Sequence, residues 1–153
     1  MKIPAFIKNI ILVCSLVSCT ENNTSIHHFT NKNWPINDTI KFTFEINDIA
    51  SNYNLSFFFR NNLDYEYRNL YLFANILLNN NLIKVDTLQY EISDKYGKWL
   101  GRGLGKIRDN YFIYEKDLNF EEEGNYQIEL MHGMRKNKLV GCNKFGFKIK
   151  QSE

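Results

Sequence analysis

Tyr53-Asn-Leu-Ser-Phe-Phe-Phe-Arg-Asn-Asn-Leu-Asp-Tyr-Glu-Tyr-Arg-Asn-Leu-Tyr-Leu-Phe73 is the most aromatic stretch of the chain, and its reading decides the fold. Residues 53–59 read as a strand. Phe57-Phe58-Phe59 puts rings on both faces, which predicts a central strand covered twice. Residues 60–64 read as a polar turn, Asn61 and Asn62 being tolerant of turn conformations. Residues 65–78 form the next strand, with Leu70, Leu72, Ala74 and Ile76 on one face and Tyr71, Phe73 and Asn75 on the other. A helix over 70–78 is the competing reading. Aromatic content and the bounding Asn clusters favour the strand.

Outward from this centre the pattern repeats. Residues 39–47 alternate strictly, Ile40, Phe42, Phe44 and Ile46 against Lys41, Thr43 and Glu45, the signature of a half-buried strand. Asn79 to Asn81 predicts a hairpin turn, because Asn accepts positive φ. Further strands are expected over 82–93, 111–118, 124–132 and around Phe145, Phe147 and Ile149, with a glycine-rich loop over 94–106. About seven or eight strands and no long helix define an all-β fold: a single antiparallel β-sandwich, with the jelly roll as one arrangement of it.

The chain has 153 residues, the length of one domain, and 44% hydrophobic residues supply a core. Residues 1–18 have the parts of a secretory signal, with Lys2 and Lys8 before a short apolar run too brief to span a bilayer. Leu16-Val17-Ser18-Cys19 resembles a bacterial lipobox, which makes Cys19 the acylated first residue of the mature protein. An ordinary secretory cleavage site near the same place is the alternative. Removing Lys2 and Lys8 from 19 basic residues leaves 17 against 17 acidic ones. A neutral domain argues against nucleic-acid binding. Residues 19–33 read as a flexible polar tether and 34–153 as the domain. Cys14 falls in the signal. Cys142 then stands alone if Cys19 is lipidated, or pairs with it in a disulfide if it is not.

Catalytic motifs are absent. Gly101-Arg-Gly-Leu-Gly105 lacks the spacing of a phosphate-binding loop and no helix follows it. His27-His28 has no further ligands at metal-binding spacing. His132 beside Met131 and Met134 reads as a strand-end core residue. Trp99, between Gly97 and Gly101, either plugs one end of the sandwich or offers a contact surface, and the plug is the simpler reading. No cofactor, metal or small-molecule substrate is expected. Residues 60–64 are expected to be exposed and close to the 97–105 loop, with Arg60, Asp64, Trp99 and Arg135 as candidate partner contacts.

The order of several motifs adds a family. Cys19, Trp34, Asp38 with Phe42-Thr43-Phe44, Tyr53-Asn54-Leu55 and Arg60-Asn61 begin it. Asp64-Tyr65, Asn69-Leu70-Tyr71-Leu72, Asp86-Thr87-Leu88, Gly97-Lys98-Trp99-Leu100-Gly101, Met134-Arg135 and the 146–149 end continue it. Together they resemble the gliding-motility lipoprotein GldH family of the Bacteroidetes over nearly the whole mature chain. Departures are Asn where a Pro is expected after Leu78, Phe120-Glu121 where Phe-Pro is expected, and Lys144 in place of an acidic residue. The resemblance implies a lipid-anchored, periplasm-facing envelope protein required for gliding and associated with type IX secretion. Its implied partners are the membrane and other envelope proteins, and it brings no catalytic residues. Asp38-Thr39-Ile40 and Asp86-Thr87-Leu88 resemble the Asp-Thr-aliphatic acceptor of Bacteroidetes O-glycosylation, which makes Thr39 and Thr87 candidate acceptors. A carbohydrate-binding β-sandwich, stacking sugars on Trp99 and the tyrosines, is the second functional reading.

Overall fold

The computed structural model describes residues 23–152. The signal segment and Cys19 lie outside the described residues. Ten strands are present: β1 (Asn23–His28), β2 (Asn33–Pro35), β3 (Ile40–Ile46), β4 (Asn52–Asn62), β5 (Asn69–Leu78), β6 (Asn81–Glu91), β7 (Ile107–Asn119), β8 (Gly124–His132), β9 (Lys138–Val140) and β10 (Cys142–Gln151). Two four-stranded antiparallel sheets, ordered β1-β10-β4-β7 and β3-β8-β5-β6, pack face to face, and β2 and β9 form a small ribbon. The chain alternates between sheets except at the β5–β6 hairpin, and the resulting strand order is that of a jelly roll.

Alternation in the sequence becomes the core. Ile40, Phe42, Phe44 and Ile46 of β3 are buried while Lys41, Thr43 and Glu45 are exposed. Phe42 and Phe44 meet Phe147 of the opposite sheet at 5.9 and 5.2 Å between ring centroids, and Phe57 meets Phe145 at 5.5 Å. Each such pair adds about 0.5–1.5 kcal/mol beyond its area burial. The hairpin after Leu78 turns on Asn79 and Asn80, both with positive φ (48° and 68°), as a two-residue turn matched to strand twist requires.

Several expectations are corrected. The strand count is ten rather than seven or eight, because β1, β2 and β9 carry no long apolar alternation. The supposed tether is ordered from Asn23: β1 pairs with β10 from Asn23↔Ile149 to His28↔Lys144, and backbone bonding to an otherwise open edge holds a segment of weak strand propensity. β4 is internal to its sheet, but only Leu55, Phe57 and Phe59 face the core, and Phe58 lies half-buried on an uncovered outer face. The second strand of the central stretch begins at Asn69, not Tyr65. Tyr65 instead turns inward and donates its hydroxyl to the Asn69 carbonyl at 2.8 Å, fastening the connection; burial pushes its phenol pKa up.

Jelly-roll winding sorts the connections. Those between β1 and β3, β4 and β5, β6 and β7, and β8 and β10 gather at one end of the sandwich. Shorter turns at 47–51, 79–80 and 120–123 close the other end, where β1 also begins.

Candidate functional site

The connection end collects Arg60, Asp64, Trp99 and Arg135, although 75 positions separate the first from the last. The turn expected over 60–64 is largely strand. Arg60, Asn61 and Asn62 finish β4, and Asn61 and Asn62 are buried, at 0% and 6% exposure, rather than solvated. Only Leu63 and Asp64 form the exposed turn. The cause is a polar network that lets amides enter the interior. Asn110 of β7 donates to the Phe59 carbonyl and to Asn61 Oδ1, both at 2.9 Å, and Asn61 donates to the Asn62 carbonyl. Asn62 holds Asp64 through Nδ2–H to Oδ2 at 2.7 Å and accepts the Asp64 backbone N–H. Pairing offsets most of the cost of burying these amides, although Asn110 Oδ1 has no partner among the described residues.

Arg60 does not pair with Asp64. Its guanidinium forms a bidentate bridge to Asp109 of β7, Nε to Oδ1 at 2.6 Å and Nη2 to Oδ2 at 2.7 Å, and this bridge raises its pKa further. The planar fork matches a carboxylate in a way a lysine could not. Asp109 in turn exchanges both backbone hydrogen bonds with Arg102 of the glycine-rich loop. Arg60 is therefore joined to that loop through Asp109, 49 positions away, with no local signal to announce it. Gly101 faces the Asn110 amide at a distance that leaves no room for a side chain.

Asp94 organises the start of the loop, accepting the N–H groups of Tyr96 and Lys98 at 2.8 and 2.9 Å, while Gly97 turns with φ +82°. Trp99 bridges back to Ser93 and packs half-buried against the core, so one side of the ring plugs this end and the other remains accessible. A cleft of about 440 Å³ opens beside it, lined by Glu91, Leu100, Arg102, Asp109, Tyr111 and Phe112. Arg135 is exposed in the turn after β8. Thr39 is half-buried at the start of β3, and Thr87 is exposed on the edge strand β6, opposite Phe73.

Two groups behind this surface are strongly perturbed. His132 is 2% exposed, and neither ring nitrogen has a well-formed hydrogen bond; burial lowers its pKa, which the nearby Trp34 backbone offsets only in part. Cys142 is fully buried and free, its thiol pushed up to about 12 by burial. Asn23 pairs with Ile149, toward the opposite end of β10 from Cys142. Among the described residues no group of three His, Cys, Asp or Glu side chains could hold a metal ion, and no helix is long and apolar enough to cross a membrane. The arrangement combines an aromatic edge, a fixed Arg60–Asp109 ion pair and a cleft held on strands.

The fold defines a small jelly-roll domain whose connection end carries Arg60, Asp64, Trp99 and Arg135. The family profile described as GldH lipoprotein matches residues 21–149, and the chain belongs to that family. It is 31% identical over 157 aligned residues to a gliding motility lipoprotein GldH homolog of Christiangramia forsetii, covering 97% of this chain and 94% of that protein. To the gliding motility lipoprotein GldH of Flavobacterium johnsoniae it is 28% identical over 127 residues, covering 78% and 79%. Among solved structures it is similar to dimeric latent PorU from Porphyromonas gingivalis, with a TM-score of 0.35 and 11% identity over 88% of this chain and 14% of that one. The VP2 subviral particle of infectious bursal disease virus gives 0.36 and 10%, over 86% and 30%.

Proposed function

We propose that this protein is a lipid-anchored envelope lipoprotein that supports gliding motility, with the associated type IX secretion, by binding another envelope protein rather than by catalysis. Cys19 carries the lipid and the domain faces the periplasm. The observation that carries the reading is the gathering of Trp99, Arg135, Asp64 and the Arg60–Asp109 bridge at the end of the sandwich farthest from the start of β1. The anchored chain thus presents this end away from its anchor point. Half-buried aromatics and arginines held on a rigid frame are the residues that dominate protein interfaces. A photo-crosslinker at Trp99 or Arg135 in the native envelope is expected to capture one defined envelope protein. No specific adduct from either position, or gliding and secretion both intact after deletion, would reject the reading.

A carbohydrate-binding role keeps one observation in its favour, the Tyr111 and Phe112 rings beside the 440 Å³ cleft. Glycan-array binding lost in Tyr111→Ala would favour it over protein contact. For O-glycosylation, Thr87 is the more accessible acceptor and Thr39 the less. Unshifted peptide masses at both would exclude the modification.

A further inference from the structure

Among the described residues the outer face of the first sheet has no partner element, and its charges differ from those of the second. In register across all four strands run Ile26, Gly146, Phe58 and Tyr111. The neighbouring row toward the turn end is Thr24, Lys148, Ser56 and Ile113; the row toward the connection end is His28, Lys144, Arg60 and Asp109. Ile26, Tyr111 and Ile113 are 50%, 74% and 64% exposed. Gly146 contributes no side chain, so a trough of about 220 Å³ opens between Ile26 and the Phe58 and Tyr111 rings. Asp109 neutralises Arg60, but among the described residues Lys144 and Lys148 have no acidic partner. On the outer face of the second sheet Lys41 is paired with Glu129 at 2.8 Å, and Tyr71, Phe73 and Val85 are exposed there too. Both faces expose apolar side chains, and among the described residues it is the unpaired lysines that distinguish the first.

Where the described chain begins selects the occupant. Asn23 opens β1, the edge strand of this same sheet, and Cys19 lies four residues before it. Four residues reach about 14 Å at most. A lipid on Cys19, the anchoring on which this inference rests, therefore holds the sheet within about that distance of the bilayer. The turn end itself carries exposed Asp48 and Glu121, Glu122 and Glu123, which anionic headgroups repel. The sheet face next to the anchor carries what an interface attracts: aromatic and aliphatic side chains for the headgroup–acyl boundary and lysines for lipid phosphates.

We propose that the outer face of the β1-β10-β4-β7 sheet lies on an anionic bilayer surface, with Ile26, Phe58, Tyr111 and Ile113 at the acyl boundary and Lys144 and Lys148 against lipid phosphates. The lipid and this face then fix the domain's orientation together. The second sheet, Trp99 and Arg135 remain free for a partner, while the Arg60–Asp109 bridge lies at the border of the bilayer-facing surface.

The test uses the mature lipidated chain reconstituted in phosphatidylcholine vesicles with and without phosphatidylglycerol. Nitroxide labels are placed by Ile26→Cys or Tyr111→Cys on one face and by Thr43→Cys or Thr87→Cys on the other. Native Cys142 is fully buried and stays unlabelled. Labels at Ile26 and Tyr111 are expected to collide with oxygen in preference to a water-soluble relaxation agent, and labels at Thr43 and Thr87 to show the reverse. The double change Lys144→Glu, Lys148→Glu is expected to weaken this contrast about tenfold and to abolish its dependence on phosphatidylglycerol. Equal water exposure of the two faces would overturn the proposal, as would label–label broadening showing that a second copy covers the first sheet. Intact mass tests the anchor separately. If Cys19 carries no acyl chain, a lipid coupled to the N-terminus of the Cys19→Ser chain still allows the face to be tested.

Discussion

At the turn end, residues 47–51, 79–80 and 120–123 close the sandwich over a cluster of rings. Phe120 meets Phe44 at 6.0 Å, Tyr53 at 5.5 Å and Tyr126 at 4.7 Å. At the connection end, Trp34 takes the same sealing role against Phe29, Phe145 and His132. The first end is shut by apolar ring contact, with exposed hydrogen bonds such as Asn119 to the Ile49 carbonyl and Gln151 to Asp48 around it. The second is held by hydrogen bonds between residues distant in the chain, such as Asn110 with Asn61 and Arg60 with Asp109. The second end differs in burying its amide network, whereas the hydrogen bonds of the first, such as those of Asp48, are exposed.

Deleting the two plugs breaks the comparison most severely. Trp34 is fully buried and donates its indole N–H to the Asp38 carbonyl at 2.9 Å. Trp34→Ala is expected to cost about 3–5 kcal/mol in urea unfolding. Phe120→Ala should cost less, because Phe120 is 7% exposed and its space can relax toward solvent. Equal losses would mean that the connection end is no more dependent on its plug than the turn end.

Gly141 tests the hydrogen-bonded closure. It has φ +82° and sits against the Tyr65 backbone and Asn62 Oδ1, so an added methyl group meets both strain and occupied space. Gly141→Ala is expected to cost about 1–3 kcal/mol. The same change should raise hydrogen exchange at residues 60–65 while leaving the 79–80 hairpin protected.

Mild acid should act on the connection end through His132. His132 is buried neutral, with its folded pKa below that of the unfolded chain, about 6.5. Its contribution is complete above the unfolded value and is lost as pH falls through the folded value, since the unfolded chain takes up the proton first. Urea midpoints should therefore decline below about pH 6.5, and His132→Leu should remove that part of the decline. An unchanged slope in the variant would assign the acid sensitivity elsewhere. The smallest effect belongs to the turn end. Asn80→Gly places the preferred residue in a left-handed position and is expected to stabilise by about 0.5 kcal/mol, seen as a small rise in Tm.

Period-2 alternation was sufficient to read β3, β5 and β8, because in a sandwich the inward and outward faces of a strand differ in every second residue. The hairpin at 79–80 was legible for a similar reason, its geometry depending on two adjacent residues. β1 was not legible: Thr24, Ser25 and His27 have no marked strand pattern, and the order comes from pairing with β10, more than a hundred positions later. The aromatic run at 57–59 also misled. Rings on both faces suggested double cover, while the structure leaves Phe58 at an open surface, and that surface became the proposed bilayer contact.

By itself, the sequence determined the all-β class, most strand positions, the neutral charge of the mature domain and the motifs of the GldH lipoprotein family. These depend on side-chain pattern and composition, which are local. Tertiary structure alone decided that Arg60 pairs with Asp109 rather than Asp64, that Asn61 and Asn62 are interior, and that Trp99 and Arg135 share one end. Those facts depend on strand order, and strand order is set by the competition of many non-local pairings that no single stretch encodes.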